Sequence, residues 1–346
     1  MKKLLLIQLA ALLMLSACGG AKQPEADTPQ ATSITVNVDQ AKRLTDSILN
    51  IRVQRVDTTA QSLFGVASIA LMSGDTIFIL DQYKNRGLFA YDNTGKFLWA
   101  YDKVGQGPGE FLQLTDFEVL PGRIAALDMM ANKIINLDRG GNFVSSDALG
   151  GNLYPSSFGY TGDSRIWLDL GNRPAGVRLV TIEDTDTTTV MTTPEYLKGF
   201  GMSAAQPLYT VGGANGQLHY LPSLESTIYL CADTTATPLL SIDFGAKWPK
   251  PDMFDKTIHS MQVFNNIKEQ GYVCYLNALE NDTHYCLTFI ANNDHRYILL
   301  VNKDTANSTL YDTAPLFKDA PSVIMPDGTL LYISDDAFKY LSVRLP

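Results

Sequence analysis

Few side chains in this sequence fall into patterns that do chemistry on their own. The four histidines, His219, His259, His284 and His295, have no spacing suited to a metal, and there is no H-E-x-x-H, C-x-x-C, G-x-S-x-G or P-loop pattern. Gly105-Gln106-Gly107-Pro108-Gly109 is flexible enough to cradle a phosphate. Its glycine spacing fits neither nucleotide motif, however, and no helix follows it. It reads as a connector, and neither a cofactor, a metal nor a catalytic residue is expected. What remains is a set suited to recognition: Tyr83, Lys84, Arg86, Lys103, Gln106, Glu110, Arg173, Trp248 and Arg296, with Gln82, Asn85, His295, Asp335 and Asp336 nearby. Cations, amides and a flat aromatic surface can hold a glycan or a peptide without breaking bonds in it.

These residues need a scaffold that gathers scattered loops, and the chain repeats one pattern that would supply it. Val66 to Ser73 leads into the turn Ser73-Gly74-Asp75, then Thr76 to Asp81, Leu88 to Asp92, the turn Asn93-Thr94-Gly95, and Lys96 to Tyr101. That is four alternating strands joined by tight hairpins. Leu120 to Val144 repeats it, with Asp138 in the place of Asp92. First turns recur at Gly74, Gly122, Gly162, Gly216, Asn281-Asp282 and Gly328, at intervals of roughly 40–65 residues, which suits four-stranded propeller blades with variable loops. The fold class is therefore all-β, a six-bladed β-propeller with antiparallel blades. Its last unit is short, so Ile51 to Val56 is expected to supply the missing outer strand and close the ring. Two stretches have helical spacing, Ala41 to Asn50 and Asp252 to Lys268.

In such a ring, the loops between second and third strands open on the same face as the connectors between blades. The recognition residues above belong to those loops and converge on that face. The connector from Gly245 to about Gln270 is the longest, and it is rich in large apolar residues. It is expected to form a wall beside the channel, with Trp248 facing a ligand.

The amino terminus has a separate logic. Lys2 and Lys3 precede an apolar run from Leu4 to Leu15, and Leu15-Ser16-Ala17-Cys18 follows. The run is too short to span a bilayer, so residues 1–17 read as an export signal. LSAC resembles the bacterial lipobox, which implies acylation of Cys18 and anchoring to a membrane. Residues 18–33 are polar and read as a flexible tether, and 34–346 as the propeller. In an oxidising envelope the odd number of remaining cysteines, Cys231, Cys274 and Cys286, leaves at least one unpaired. Cys274 and Cys286 flank a turn and could face each other, with buried free thiols as the default.

Ile77 to Phe111, with its GQGPGEF segment at Gly105 to Phe111, resembles the NHL-like six-bladed propeller lipoproteins abundant in Bacteroidetes, many known only as domains of unknown function. Ile51 to Asp57, Leu63-Phe64-Gly65, Thr227-Ile228-Tyr229 and Ile242 to Gly245 extend the match. The resemblance implies the fold and an envelope location, in the outer membrane facing the periplasm, and no agreed substrate or catalytic residue. The first acids after Cys18 are Glu25 and Asp27, further from the cysteine than surface display in these bacteria usually has them.

A net charge of −9 excludes a nucleic-acid partner. The leading expectation is a non-catalytic binding or scaffold propeller. The alternatives are a hydrolase or lyase acting on glycan or peptide with loop-borne acids, and a structural part of an envelope assembly. Buried carboxylates with shifted titration would favour the enzyme, and an exposed apolar patch the assembly.

Overall fold

The computed structural model describes residues 31–45, 49–162, 164–201, 206–212, 216–313 and 319–343. Cys18, the export signal and the tether up to residue 30 lie outside them. The described residues form six antiparallel sheets that follow one another along the chain. Blade 1 is Ile69–Ser73, Thr76–Asp81, Gly87–Asp92 and Phe97–Tyr101. Blade 2 is Leu114–Leu120, Arg123–Asp128, Lys133–Asp138 and Phe143–Ala148, and blade 3 is Ser157–Thr161, Arg165–Asp169, Val177–Glu183 and Asp186–Thr192. Blade 4 is Leu208–Val211, Gln217–Tyr220, Thr227–Ala232 and Thr235–Asp243, and blade 5 is Cys274–Glu280, His284–Ala291, His295–Asn302 and Ser308–Asp312. Blade 6 takes Val323–Ile324, Leu330–Ile333 and Ala337–Val343 from the end of the chain, and its fourth strand from the beginning. First strands touch around the axis between blades 1 and 2, 2 and 3, 3 and 4, 5 and 6, and 6 and 1. The chain is thus a six-bladed β-propeller.

Alternation along each strand explains where the core sits. In blade 1, Phe78 and Leu80 pack toward blade 2, whereas Ile77 and Ile79 pack toward blade 6. Both sets are fully buried because a blade is covered on both sides, and each blade interface accordingly holds its own apolar cluster. The turns work as their residues dictate. Gly74 (φ 59°) and Gly122 (φ 74°) sit in the left-handed region that L side chains avoid. Asn281 turns the chain differently, by accepting the backbone N–H groups of Thr283 (3.0 Å) and His284 (2.7 Å).

The beginning of the chain forms a belt around half of the ring. Strand β1 (Thr32–Thr35) adds in parallel to the outer edge of blade 4, with Ile34 opposite Ile242. Strand β2 (Lys42–Arg43) adds in parallel to blade 5. Strand β3 (Leu49–Arg55) pairs antiparallel with Ala337–Val343, with Ile51 opposite Leu341, and closes the ring as expected. Two expectations need correction. Ala41 to Asn50 is no helix: its described residues contain β2 and the start of β3, so the spacing of Ala41 and Leu44 reflects burial against an edge and not a helical face. Residues before 34 also belong to the propeller, because Thr32 and Ser33 are already paired in β1.

Candidate functional site

The entrance face is built by one device repeated in the first three blades. Asp81 ends the second strand of blade 1 and accepts backbone N–H groups from Gly65 (2.7 Å), Tyr83 (3.0 Å), Lys84 (2.9 Å) and Asn85 (3.0 Å). It thereby staples the incoming connector to the loop between second and third strands. Burial opposes its ionisation, yet these donors outweigh it and hold the carboxyl below the ordinary range. Asp128 does the same in blade 2, accepting from Leu112 (2.8 Å), Gln113 (3.0 Å) and Ala131 (3.2 Å). Asp169 takes this place in blade 3 with hydroxyl donors, Ser156 (2.5 Å) and Tyr220 (2.6 Å), and burial raises its pKa.

Most residues singled out for recognition are placed by these loops and are used by them. Tyr83 is the most exposed, at 71%. The stem of Lys84 lies against Gly65, where a Cβ would come within 2.3 Å of it. Arg86 donates to the Leu112 carbonyl and Arg173 to the Tyr154 carbonyl. Glu110 accepts from Gly107 N–H (2.7 Å) inside the GQGPGE loop, which closes on itself through Gly105 N–H to Phe111 O (2.9 Å). Lys103 supplies its carbonyl to Phe111, and Gln106 lies in the same loop. Of the nine, Arg296 lines one of the two cavities that follow.

Two adjoining cavities open along the axis and beside it. The larger, of about 610 Å³, runs along the first strands of blades 1, 4, 5 and 6, past Ile69 to Met72, Tyr209, Thr210, Asn277 to Glu280 and Val323-Ile324. The connectors Gly65–Ser68 and Asp319–Ser322 complete it, with Gln206 and Ile333 to Asp335. Thr210 is exposed although it belongs to an innermost strand, so the channel is open at that depth. The smaller cavity, of about 380 Å³, shares Asn277 and Asp319 to Pro321 with it and adds Lys268, Tyr275, Asp294 and Arg296. Both volumes fall within the range of small-ligand sites.

Blades 2 and 3 contribute nothing to the larger cavity, because buried acids fill their side of the axis. Asp116 is fully buried and accepts from Ser157 Oγ (2.5 Å), the N–H groups of Phe117 (2.8 Å) and Phe158 (3.1 Å), and Gln206 Nε2 (2.9 Å). Glu118, 4% exposed, accepts from Thr210 Oγ1 at 3.0 and 3.2 Å. Gly159 beside it makes room chiefly for Leu218, whose Cδ1 a Cβ there would approach to 2.3 Å, with Glu118 Oε1 at 3.3 Å. Desolvation raises Asp116 to about 7; desolvation and the neighbouring Asp116 raise Glu118 to about 8. These acids were not visible as a pair of functional groups in the sequence, because Ser157, Gln206 and Thr210 lie on later blades. Across the channel, the Glu280 carboxylate is buried between Lys303 Nζ (2.6 Å) and His219 Nδ1 (2.8 Å).

The long connector contains the expected helix, shorter than foreseen: α1 spans Ser260–Glu269. Its Val263 and Ile267 pack with Phe254, Leu197, Phe200, Cys274 and Ile290, so it covers the entrance side of blades 4 and 5, and Lys268 at its end reaches the smaller cavity. Trp248 faces elsewhere. It stacks on Phe244 (5.6 Å between rings, 13°) and packs on the cluster containing Val36 and Val38 of the belt, so it lines neither cavity. Cys231, Cys274 and Cys286 are buried free thiols; Cys274 lies opposite Ile290 and Cys286 opposite Leu279, and burial pushes all three up to about 12. Among the described residues, no group of His, Cys, Asp or Glu could hold a metal, and no helix is long and apolar enough to cross a membrane.

Fold and cavities together define a closed six-bladed propeller with a ligand-sized axial channel. The chain belongs to the DUF4934 family, a domain of unknown function, whose model matches residues 31–346. A protein of Bacteroides fragilis described as exported has a similar structure, with a TM-score of 0.72, 18% identity, and coverage of 91% of this chain and 100% of that one. A DUF4221 family member from Bacteroides vulgatus is more distant, at a TM-score of 0.54, 8% identity, and coverage of 87% and 100%. No curated protein matches this chain.

Proposed function

We propose that this chain is an envelope lipoprotein, anchored through Cys18 on the periplasmic side of the outer membrane, which binds a glycan or peptide in its central channel without converting it. The observation that carries this reading is the open cavity of about 610 Å³ whose wall includes the exposed Thr210. A hydrolase or lyase would have to use Asp116 and Glu118, the carboxyls with raised pKa near the axis. Both stand behind the wall, 0% and 4% exposed, and hydrogen-bond the wall residues Gln206 and Thr210. They orient the lining and do not touch what enters it. The test is a screen of glycans and short peptides by calorimetry, repeated on Thr210→Trp, which fills the channel. Loss of at least ten-fold in affinity supports the reading; a bound ligand indifferent to Thr210→Trp overturns it.

One observation favours a second reading, a macromolecule seated over the channel mouth. Exposed apolar residues concentrate on the entrance-face loops, at Leu63, Val66, Tyr83, Val104, Met130, Tyr154, Ile258 and Met261. The turns of the opposite face carry none among the described residues. Apolar residues gathered on one face mark contact surfaces.

A further inference from the structure

Each first strand pairs with its own blade along one edge and turns the other edge toward the axis, so backbone N–H and C=O groups face inward at every second position. On the side of blades 2 and 3 the protein caps those groups itself. Asp116 accepts the N–H groups of Phe117 and Phe158, Gln206 donates to the Phe117 carbonyl (3.3 Å), and Ser157 Oγ accepts the Leu208 N–H (3.3 Å). The edges that line the larger cavity from blades 4 and 5 receive no such cap from the described side chains. Register fixes which groups turn inward there. In blade 5 the Asn281 N–H bonds the His284 carbonyl (3.0 Å), so Leu279 and Asn277 bond across the ladder, and Ala278 and Glu280 aim their backbone groups at the axis. In blade 4 the Leu221 N–H bonds the Pro207 carbonyl (2.9 Å), and the same alternation turns the backbone of Thr210 inward. Exposure gives a second and independent sign. Glu280 is only half-buried although its side chain is 0% exposed, so its backbone is the part that meets the channel. Thr210 is exposed while its hydroxyl is spent on Glu118.

We infer that this inner edge takes a short extended peptide, which adds to the first strand of blade 5 as a further strand and exchanges backbone hydrogen bonds with Ala278 and Glu280, while Thr210 faces it from blade 4. This inference rests on the reading of the channel as the binding site and chooses peptide over glycan. Ala278 and Glu280 each offer one donor and one acceptor, about 7 Å apart along the strand, which is the pattern an extended chain offers in return. The outer edges of blades 4 and 5 already accept added strands in this way, from β1 and β2.

The experiment screens a pooled library of acetylated tetrapeptide amides on the immobilised full chain, then applies calorimetry to the best member and to its four singly N-methylated forms. N-methylation should weaken binding at least ten-fold at two positions separated by one, and less than three-fold at the positions between, because only alternate N–H groups face the strand. Ala278→Pro removes an inward N–H that the blade does not use and should weaken the unmodified peptide at least ten-fold; should that chain not fold, the N-methyl series on the unaltered chain decides. If all four N-methylated forms bind like the parent, or a folded Ala278→Pro chain does, while Thr210→Trp abolishes binding, strand addition fails and the channel reading stands. If peptides bind but Thr210→Trp leaves them untouched, both fail. If no library member binds at millimolar concentration, the inference is overturned, and a glycan whose binding is lost in Thr210→Trp would still uphold the channel. Met72→Trp, a second channel-filling change, guards against a Thr210→Trp chain that does not fold.

Discussion

Blades 1–3 and blades 4–6 are held together by different means. Each of the first three carries its own acidic staple, Asp81, Asp128 or Asp169, which holds the connector entering its blade, 13–16 positions back in the sequence. Blades 4–6 end their second strands at Tyr220, Ala291 and Ile333 instead. Their outer edges receive β1, β2 and β3 from the other end of the chain. Local hydrogen bonds support one half of the ring, and long-range edge pairing the other. The channel opens on the second half, where blades 4, 5 and 6 line it with only blade 1 added. The belted half is therefore free to vary its loops, because its strands are secured from outside.

The largest effect should come from removing the belt's last strand. Deleting Leu49–Arg55 strips blade 6 of its outer strand and opens the ring, so the cooperative thermal transition should be lost; an unchanged melting temperature would refute the role given to β3. Breaking the other half should cost less. Asp81→Ala leaves four backbone N–H groups of a buried staple without their acceptor, and the expected loss is about 2–3 kcal/mol in denaturant unfolding. Hydrogen exchange should show the loosening confined to blade 1 and its connector. Exchange that rises equally in blade 5 would mean the halves are not separately supported.

The smallest effect concerns the seam between the halves, where Asp116 and Glu118 meet blade 4, and it appears in the pH dependence. Unfolded carboxyls titrate near 4, and these two near 7 and 8 when folded. The folded state then holds more protons between those values, so the stability these two acids contribute is full at and below about pH 4 and is lost as pH rises toward about 8. Asp81, held low, has the opposite sign: its contribution is present above about pH 4 and lost below it. Asp116→Asn with Glu118→Gln should flatten the decline between pH 5 and 8, as read from urea midpoints. A slope unchanged by both substitutions would show that neither acid is protonated in the fold.

This division also explains what was legible in the sequence. Gly74, Gly122, Gly162, Gly216, Asn281 and Gly328 announce the first turns because a tight hairpin needs residues of those types locally, and all six stand where second strands begin. β1 and β2 gave no such sign. Four and two residues long, they pair with strands some 200 and 270 positions later, and alternation over so few residues carries no signal. The same limit applied to the site. Glu118 reads as one more polar position on a strand until Thr210 is brought against it, and Trp248 reads as a free aromatic until Phe244 and the belt cover it.

The closing strand also sets an order of events during synthesis. Ile51 leaves the ribosome before its partner Leu341, which follows about 290 positions later. Until Ala337–Val343 exists, β3 has no mate and blade 1 has only part of its neighbour on one side. Pairing that distant forms slowly and exposes apolar surface while it waits. A chain cut short anywhere before Ala337 leaves Tyr91, Ile77 and Ile79 without Phe338 and Tyr340 to cover them. Closure thus acts as a seal: a chain stopped short of it keeps an open ring with an uncovered apolar flank.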